Sequence, residues 1–338
     1  MNIGIVGIGF MGATHFRAVK QVEGARVSAI CTRSQKKLAG DWSDIRGNFG
    51  PGGGTEDLTG IKKYQEIDEI IADPEVELLD ICLPTPYHRD VAIRALQAGK
   101  HVLVEKPIAL TLADADAMVQ AARDAGRQLM VAQVLRFFPE FAYVKQVVEG
   151  GAYGALLGAH FKRIISKPDW AADDWFSSVE KTGGPAIDLH IHDADFVRFL
   201  AGMPNAVQSS GVLTPDGGVT YLVTEYLYEG RNMAITCASG AIAMRSVMFE
   251  HGYDVYLERA TLRHNSLDEV PVTLYTPDGK TRPEIPQVDG FVGEIGYAVR
   301  CLKEGREPEL LSGQSARDSL YLALKEVEAV KRGGRVAV

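Results

Sequence analysis

Asn2-Ile3-Gly4-Ile5-Val6-Gly7-Ile8-Gly9-Phe10-Met11-Gly12 opens the chain. Ile3 to Val6 has the unbroken apolar character of a buried strand, and a helical stretch to about Val22 follows the glycines. Glycines at 7, 9 and 12, set between strand and helix, form G-x-G-x-x-G in the context that makes it a dinucleotide signal. Gly7 permits the tight turn. Gly9 has no side chain to block a pyrophosphate, and Gly12 lets helix and strand pack closely. The helix start offers unpaired N–H groups and a positive dipole end to the phosphates. Phe10 and Met11, inside the same turn, complete the first set of candidate cofactor contacts.

The second strand spans about Arg26 to Cys31. An acidic residue at its end would accept hydrogen bonds from the adenosine ribose of NAD. Thr32, Arg33 and Ser34 stand there instead, with Lys36 and Lys37 next. Nothing there repels a 2′-phosphate, and Arg33 can pair with one, so NADP is favoured over NAD. An Arg33 that stacks on adenine would suit either cofactor.

Strand and helix keep alternating: a helix over Glu66–Ala72, a strand over Leu78–Cys82, a helix over His88–Ala98 and a strand at Gln128–Ala132. This pattern predicts an α/β fold with a Rossmann-type parallel sheet. The turn Pro84-Thr85-Pro86-Tyr87-His88 follows a strand and should line the cofactor crevice through Pro84, Thr85 and His88. A helix-capping or surface role suits His88 equally well. Thr111-Leu112-Ala113-Asp114 resembles a capping box that opens a helix to about Ala125. The strand His101-Val102-Leu103-Val104 ends on Glu105-Lys106-Pro107, and open α/β sheets bind ligands at such strand ends. Pro107 fixes its own φ and biases Lys106 towards an extended backbone. Glu105 and Lys106 are cofactor-side candidates. The Lys106 ammonium either faces the reacting centre or reaches out to solvent.

Residues 1–128 are read as the nucleotide-binding domain. Residues 129–338 are read as an α+β domain with an open, largely antiparallel sheet, the last helix a candidate to pack back on the first domain. Its expected elements are a helix over Phe138–Glu149 and strands over Leu156–Ser166, Val207–Leu213, Val219–Tyr228, Met233–Ser239 and Asp254–Arg259. Helices over Gly290–Glu304 and Gln314–Arg332 close the chain. Trp170 and Trp175 stand among charges, which suits the C–H faces and hydroxyls of a sugar or cyclitol, or else an ordinary hydrophobic anchor. Gly183-Gly184-Pro185 opens a helix that continues to about Leu200. Asp188 and His192 then lie at i and i+4 on one face. A carboxylate that orients an imidazole makes a general-base pair, and a plain surface pair is the alternative. On a helix His190 and His192 point about 200° apart, so no metal site is expected there.

At 338 residues, the chain suits two domains of about 150 residues each. A net charge of −8 argues against nucleic acid as a partner. No apolar run approaches the ~18 residues of a membrane span. Cys31, Cys82, Cys237 and Cys301 lie far apart at no metal or redox spacing, and Asn2–Val6 lacks the pattern of a signal peptide. Both point to reduced thiols and a cytoplasmic protein.

The glycine motif, Thr85-Pro86 before a helix, and Ala98-Gly99-Lys100-His101-Val102-Leu103-Val104-Glu105-Lys106-Pro107 together resemble the Gfo/Idh/MocA oxidoreductase family. That family includes glucose–fructose oxidoreductase and inositol dehydrogenase. Gly183-Gly184 followed by Asp188-x-x-x-His192 extends the likeness over essentially the whole chain. The resemblance implies an NAD(P)-dependent dehydrogenase or reductase. It would act on a secondary hydroxyl or ketone of a sugar, polyol or derivative, with Lys106, Asp188 and His192 as the catalytic group. His190 stands where many members have glycine. Arg163, Trp175 and His190 join the three catalytic residues as candidate substrate contacts. Family members associate through the second sheet, which implies a homo-dimer or homo-tetramer. Two alternatives are a relative that cleaves glycosidic bonds by transient oxidation with bound NAD, and a non-catalytic nucleotide-sensing regulator. Retention of all three catalytic residues argues against the regulator.

Overall fold

The computed structural model describes residues 1–47, 50, 52–167 and 179–338. The chain divides into two compact units, residues 1–134 with 289–317 and residues 135–288 with 318–338.

The first unit is built on a six-stranded parallel sheet: β1 (Asn2–Val6), β2 (Arg26–Cys31), β3 (Lys62–Tyr64), β4 (Leu78–Ile81), β5 (His101–Glu105) and β6 (Leu129–Ala132). Their order is β3-β2-β1-β4-β5-β6. Winding reverses between β1 and β4, so the carboxyl ends of these two strands form the switch point where doubly wound sheets take ligands. The helices are α1 (Phe10–Val19), α2 (Gln35–Leu38), α3 (Ile67–Ala72), α4 (His88–Gln97) and α5 (Leu112–Ala125). A later helix, α10 (Gly290–Glu304), belongs to the same unit. Val102, Leu103 and Val104 of β5 have no exposure. A parallel strand covered on both faces requires such an apolar run, and each side chain contributes about 1.5–3 kcal/mol by burial. The Thr111 side chain caps α5 by accepting from the Asp114 N–H at 3.1 Å, the first half of the expected capping box, while the Asp114 carboxylate accepts from the Thr111 hydroxyl at 2.7 Å. Gly126, at φ +60°, ends that helix. The sequence boundary at residue 128 falls just before β6, which is an edge strand of the first sheet. The edge strand β3 was not expected, because Lys62-Lys63-Tyr64 is short and polar.

The second unit holds a mixed, mostly antiparallel sheet in the order β14-β13-β12-β11-β7-β10-β9-β8-β15. Its central strands are β7 (Leu156–Ser166), β8 (Ala206–Leu213), β9 (Val219–Leu227), β10 (Ala234–Ala243) and β11 (Glu250–Leu257). Beside them lie β12 (Ala260–Asn265), β13 (Thr273–Thr276), β14 (Gly279–Thr281) and β15 (Arg335–Ala337). Among the described residues of this sheet only β7 and β10 pair in parallel. The strand expected over Asp254–Arg259 is instead the end of β11 and the turn into β12. Glu258 and Arg259 make that turn, with Leu257 opposite Ala260. Two-residue hairpins normally carry glycine or asparagine, and this one carries neither, so nothing in the sequence marked the reversal. The helices are α6 (Pro139–Gly150), α7 (Val179–Thr182), α8 (Pro185–Asp188), α9 (Ile191–Ala201) and most of α11 (Gly313–Arg332). Phe196 of α9 packs edge-on against Phe141 of α6 at 4.9 Å and Phe161 of β7 at 5.8 Å. These rings seat α9 in the core of this unit.

All four cysteines are free thiols; Cys31, Cys237 and Cys301 are buried and Cys82 is half-buried. Burial, with Glu66 and Glu69 nearby, pushes the Cys31 thiol up to about 11. Among the described residues no helix is long and apolar enough to cross a membrane.

A methyl group at Gly12 would lie 2.0 Å from the Gly7 carbonyl oxygen, whereas one at Gly9 would meet nothing within 4 Å. Gly12→Ala should therefore lower stability by about 2–3 kcal/mol, and Gly9→Ala should stay within about 0.5 kcal/mol of the parent. Urea unfolding of both variants checks this. Equal losses would mean that α1 shifts freely on the sheet.

Candidate active site

Gly7 has φ +94° and donates its N–H to the Cys31 carbonyl at 3.0 Å. A Cβ there would sit 2.7 Å from the Cys82 carbonyl oxygen. Gly7 and Gly12 are thus closed in by backbone, while Gly9, which caps α1, opens onto free space. Open space at a helix start is what a pyrophosphate needs, so these residues fit a dinucleotide. Beyond β2, Ser34 caps α2 by accepting from the Lys37 N–H at 3.3 Å, and Thr32 Oγ1 accepts from the Ser34 N–H at 3.4 Å. Arg33 is exposed. Lys37 turns inward instead, its ammonium donating to the Ile8 carbonyl of the glycine turn at 2.7 Å.

Pro84 precedes a single 3-10 turn over Thr85–Tyr87 at the end of β4. His88 is buried, and its ring nitrogens face the Pro107 carbonyl at 3.0 Å and the Leu83 carbonyl at 2.8 Å. Burial holds its pKa below the ordinary value against those two carbonyls. A neutral ring donates to one carbonyl at a time, so His88 bonds either the 83–88 turn or the 106–107 turn, according to its tautomer. Lys106 is half-buried, and its peptide bond to Pro107 is cis. The Lys106 N–H donates to Glu105 Oε2 at 2.9 Å.

Beneath Lys106 lies a set of ionisable side chains that sequence reading missed. Asp80 of β4 stands opposite Leu103 of β5. Side chains two apart share a sheet face, so Asp80 and Glu105 point the same way. His15 of α1 lies against that face. Its Nδ1 is 2.9 Å from Asp80 Oδ2, and its Nε2 is 3.2 Å from Glu105 Oε1, the latter contact misaligned for a hydrogen bond. Burial opposes charge on His15, but Asp80 and then Cys82 outweigh it and raise the pKa well above the ordinary value. Burial likewise opposes ionisation of Glu105, yet His15 and Lys106 hold it below the usual carboxylate range. Glu294 of α10 is fully buried, and neither of its carboxyl oxygens has a hydrogen bond. Burial pushes its pKa well up; His15 opposes this, while Glu105 and Asp80 add to it. Burial therefore pushes the Glu294 carboxyl towards its neutral form, beside His15, Glu105 and Asp80.

In the second unit the expected single helix over residues 185–200 is two. α8 is one turn long, Leu189 and His190 form a turn, and α9 starts at Ile191. The His190 N–H reaches back five residues to the Pro185 carbonyl, and the Asp193 N–H only three, to His190. The uniform i, i+4 spacing expected for Asp188 and His192 is thus interrupted between them. Both side chains are half-buried. The residues that follow anchor α9. Arg163 is buried and forks onto Asp193, with Nε–Oδ2 at 2.9 Å and Nη2–Oδ1 at 3.2 Å. Ser239 donates to the same carboxylate at 2.8 Å. Asp195 takes a buried bidentate pair from Arg136 and a hydrogen bond from Ser319 at 2.6 Å. His190 is fully buried, with Nε2 2.7 Å from Glu326 Oε2; burial opposes its charge, and Glu326 raises its pKa on balance. Trp170 and Trp175 lie outside the described residues.

The model of the oxidoreductase family with the NAD-binding Rossmann fold, GFO/IDH/MocA, matches residues 1–133, and the family's C-terminal domain model matches residues 141–263. The chain belongs to the Gfo/Idh/MocA family. It is 27% identical to the myo-inositol 2-dehydrogenase of Thermotoga maritima over 97% of this chain and 96% of that protein. It is 26% identical to the inositol 2-dehydrogenase of Rhizobium meliloti over 100% of this chain and 99% of that protein. The structure of a levoglucosan dehydrogenase in complex with NADH and levoglucosan shares its fold, with a TM-score of 0.83 at 20% identity, over 100% of this chain and 99% of that one.

Two features of the sequence of this Gfo/Idh/MocA member mark the buried set. Asp80 interrupts an apolar strand, and His15 follows Gly12 by three residues on the helix face turned to the sheet. An acid whose folded pKa stands above its unfolded value of about 4.3 loses stability as pH rises past that value, because unfolding lets it ionise. Glu294→Gln should therefore raise the midpoint of thermal unfolding at pH 8. The gain should shrink towards pH 4.5, as followed by circular dichroism. Equal midpoints throughout would mean that Glu294 is ionised in the folded protein.

Proposed function

We propose that the protein transfers a hydride between a nicotinamide dinucleotide and a secondary hydroxyl or ketone of a sugar or polyol. What carries this reading is the retained set of Lys106, Asp188 and His192. Each is half-buried, neither lost to the core nor fully out in solvent. The inositol dehydrogenases that match along almost the whole chain support it. His192 takes the hydroxyl proton. Asp188 orients the imidazole and favours its charged form. The Lys106 ammonium hydrogen-bonds the reacting oxygen and stabilises its developing negative charge. When bound, the nicotinamide accepts or returns the hydride. Gly7, Gly9, Gly12 and the start of α1 hold the pyrophosphate, and Arg33 stands where a 2′-phosphate would lie. In reduction His192 gives the proton back.

A homo-oligomer formed through the open face of the second sheet belongs to the same reading. Val212, Val223 and Tyr256 are exposed among its strands. Light scattering reports the subunit number.

A panel of sugars and cyclitols, followed by nicotinamide absorbance with each cofactor, tests the reaction. Lys106→Met should lower turnover by about 100-fold or more, as loss of one electrostatic stabiliser does. His192→Asn should lower it by roughly 100- to 10,000-fold, the range for a general base, while cofactor affinity is kept. Near-normal turnover in either variant would move that role to another residue. NADPH should bind more tightly than NADH, and Arg33→Ala should weaken NADPH selectively. Equal loss for both cofactors would mean that Arg33 stacks on adenine.

A further inference from the structure

Lys106 is held on both sides by its neighbours in the chain. The carbonyl after it, on Pro107, faces the buried His88 ring at 3.0 Å. The carboxylate before it, on Glu105, takes the Lys106 N–H on Oε2 at 2.9 Å. The other oxygen, Oε1, faces His15 Nε2 at 3.2 Å, and His15 Nδ1 rests on Asp80 at 2.9 Å. His15 is completely buried, and the Glu105 side chain is 9% exposed. The groups that face His15 come from three elements besides its own helix. They are Asp80 of β4 and Cys82 just after it, Glu105 of β5, and Glu294 of α10.

We propose that His15 is a positioning residue for Lys106, acting through the Glu105 carboxylate. The proposal rests on the reading of Lys106 as a reacting-centre residue. A buried carboxylate keeps its charge and place only where a cation and hydrogen bonds compensate it. The His15 imidazolium supplies the cation on the inner side, and the Lys106 N–H supplies the hydrogen bond on the outer side. Without the imidazolium, Glu105 sits close to Asp80 with no inner counter-charge. It then takes up a proton or turns outwards. Either change loosens the hydrogen bond from the Lys106 N–H to Glu105, and with it the direction in which the lysine leaves the strand. A shift of about 1 Å at such a group costs up to about 100-fold in rate.

The test is a double-mutant cycle with myo-inositol as the probe substrate, beside hydrogen exchange on the whole protein. His15→Gln should lower kcat by roughly 10- to 100-fold and leave the dissociation constant of the cofactor within about twofold. In a Lys106→Met background the same substitution should change kcat by less than about twofold, because the group it positions is gone. Glu105→Gln, which keeps an acceptor for the Lys106 N–H, should retain more activity than Glu105→Ala. Amide exchange in the segment 103–108 should speed up in His15→Gln while the rest of the first unit is unchanged. Equal losses from His15→Gln in both backgrounds, or exchange that quickens uniformly, would overturn the proposal and leave His15 a general stabiliser. Normal turnover in Lys106→Met alone would instead sink the reading of Lys106. If myo-inositol gives no turnover, or if His15→Gln does not fold, local against uniform exchange in His15→Gln or Glu105→Gln decides.

Discussion

Asp80 is an ionisable side chain in the middle of a strand covered on both faces, 1% exposed. A lone carboxylate there would cost several kcal/mol. The first domain is arranged around answering that charge. His15 reaches it from α1, and because His15 is itself buried, each needs the other. The sheet register then brings Glu105 onto the same face, where it uses the second edge of the imidazole. One ring faces two acids, and burial pushes a third, Glu294, towards its neutral form. Helix α1 and strands β4 and β5 are thereby tied at one point, next to the turn that carries Lys106.

The second unit repeats the device with different partners. His192 stands between residues whose side chains are sunk into buried polar pairs: His190 on Glu326, Asp193 on Arg163 and Asp195 on Arg136. In each unit a candidate reactive residue is the immediate neighbour, along the chain, of an ion-paired acid: Lys106 follows Glu105, and His192 precedes Asp193. Buried pairs of this kind add little net stability over a well-packed apolar core. They do fix a backbone in one arrangement, because removing either partner strands a charge. Arg163 is an instance: its guanidinium is committed to the Asp193 fork within the unit.

The parts of the fold that were legible in the sequence are those whose cause is local. The glycine turn, the Thr111 cap and the strand ending at Lys106 each draw their structure from residues within a dozen positions, and each lies where expected. The Asp80–His15 pair joins residues 65 positions apart, and His190–Glu326 joins residues 136 apart. Asp80 announces by its type alone that a partner exists, but not which one. The β11–β12 hairpin was illegible for another reason, since Glu258 and Arg259 make a turn without any residue that favours one. The break between α8 and α9 is subtler still. Leu189 and His190 keep right-handed helical backbone angles, and only their hydrogen bonds slip out of the regular pattern.

The cysteines carry a practical corollary. Alkylating reagents and oxidants act on the thiolate, and burial suppresses that form at Cys31, Cys82 and Cys237. Cys301 is enclosed in the core. The native chain is therefore a quiet background for bioconjugation. A single new cysteine placed on an exposed strand or loop would take up a fluorophore or spin label in preference to all four, without first stripping out the natural ones.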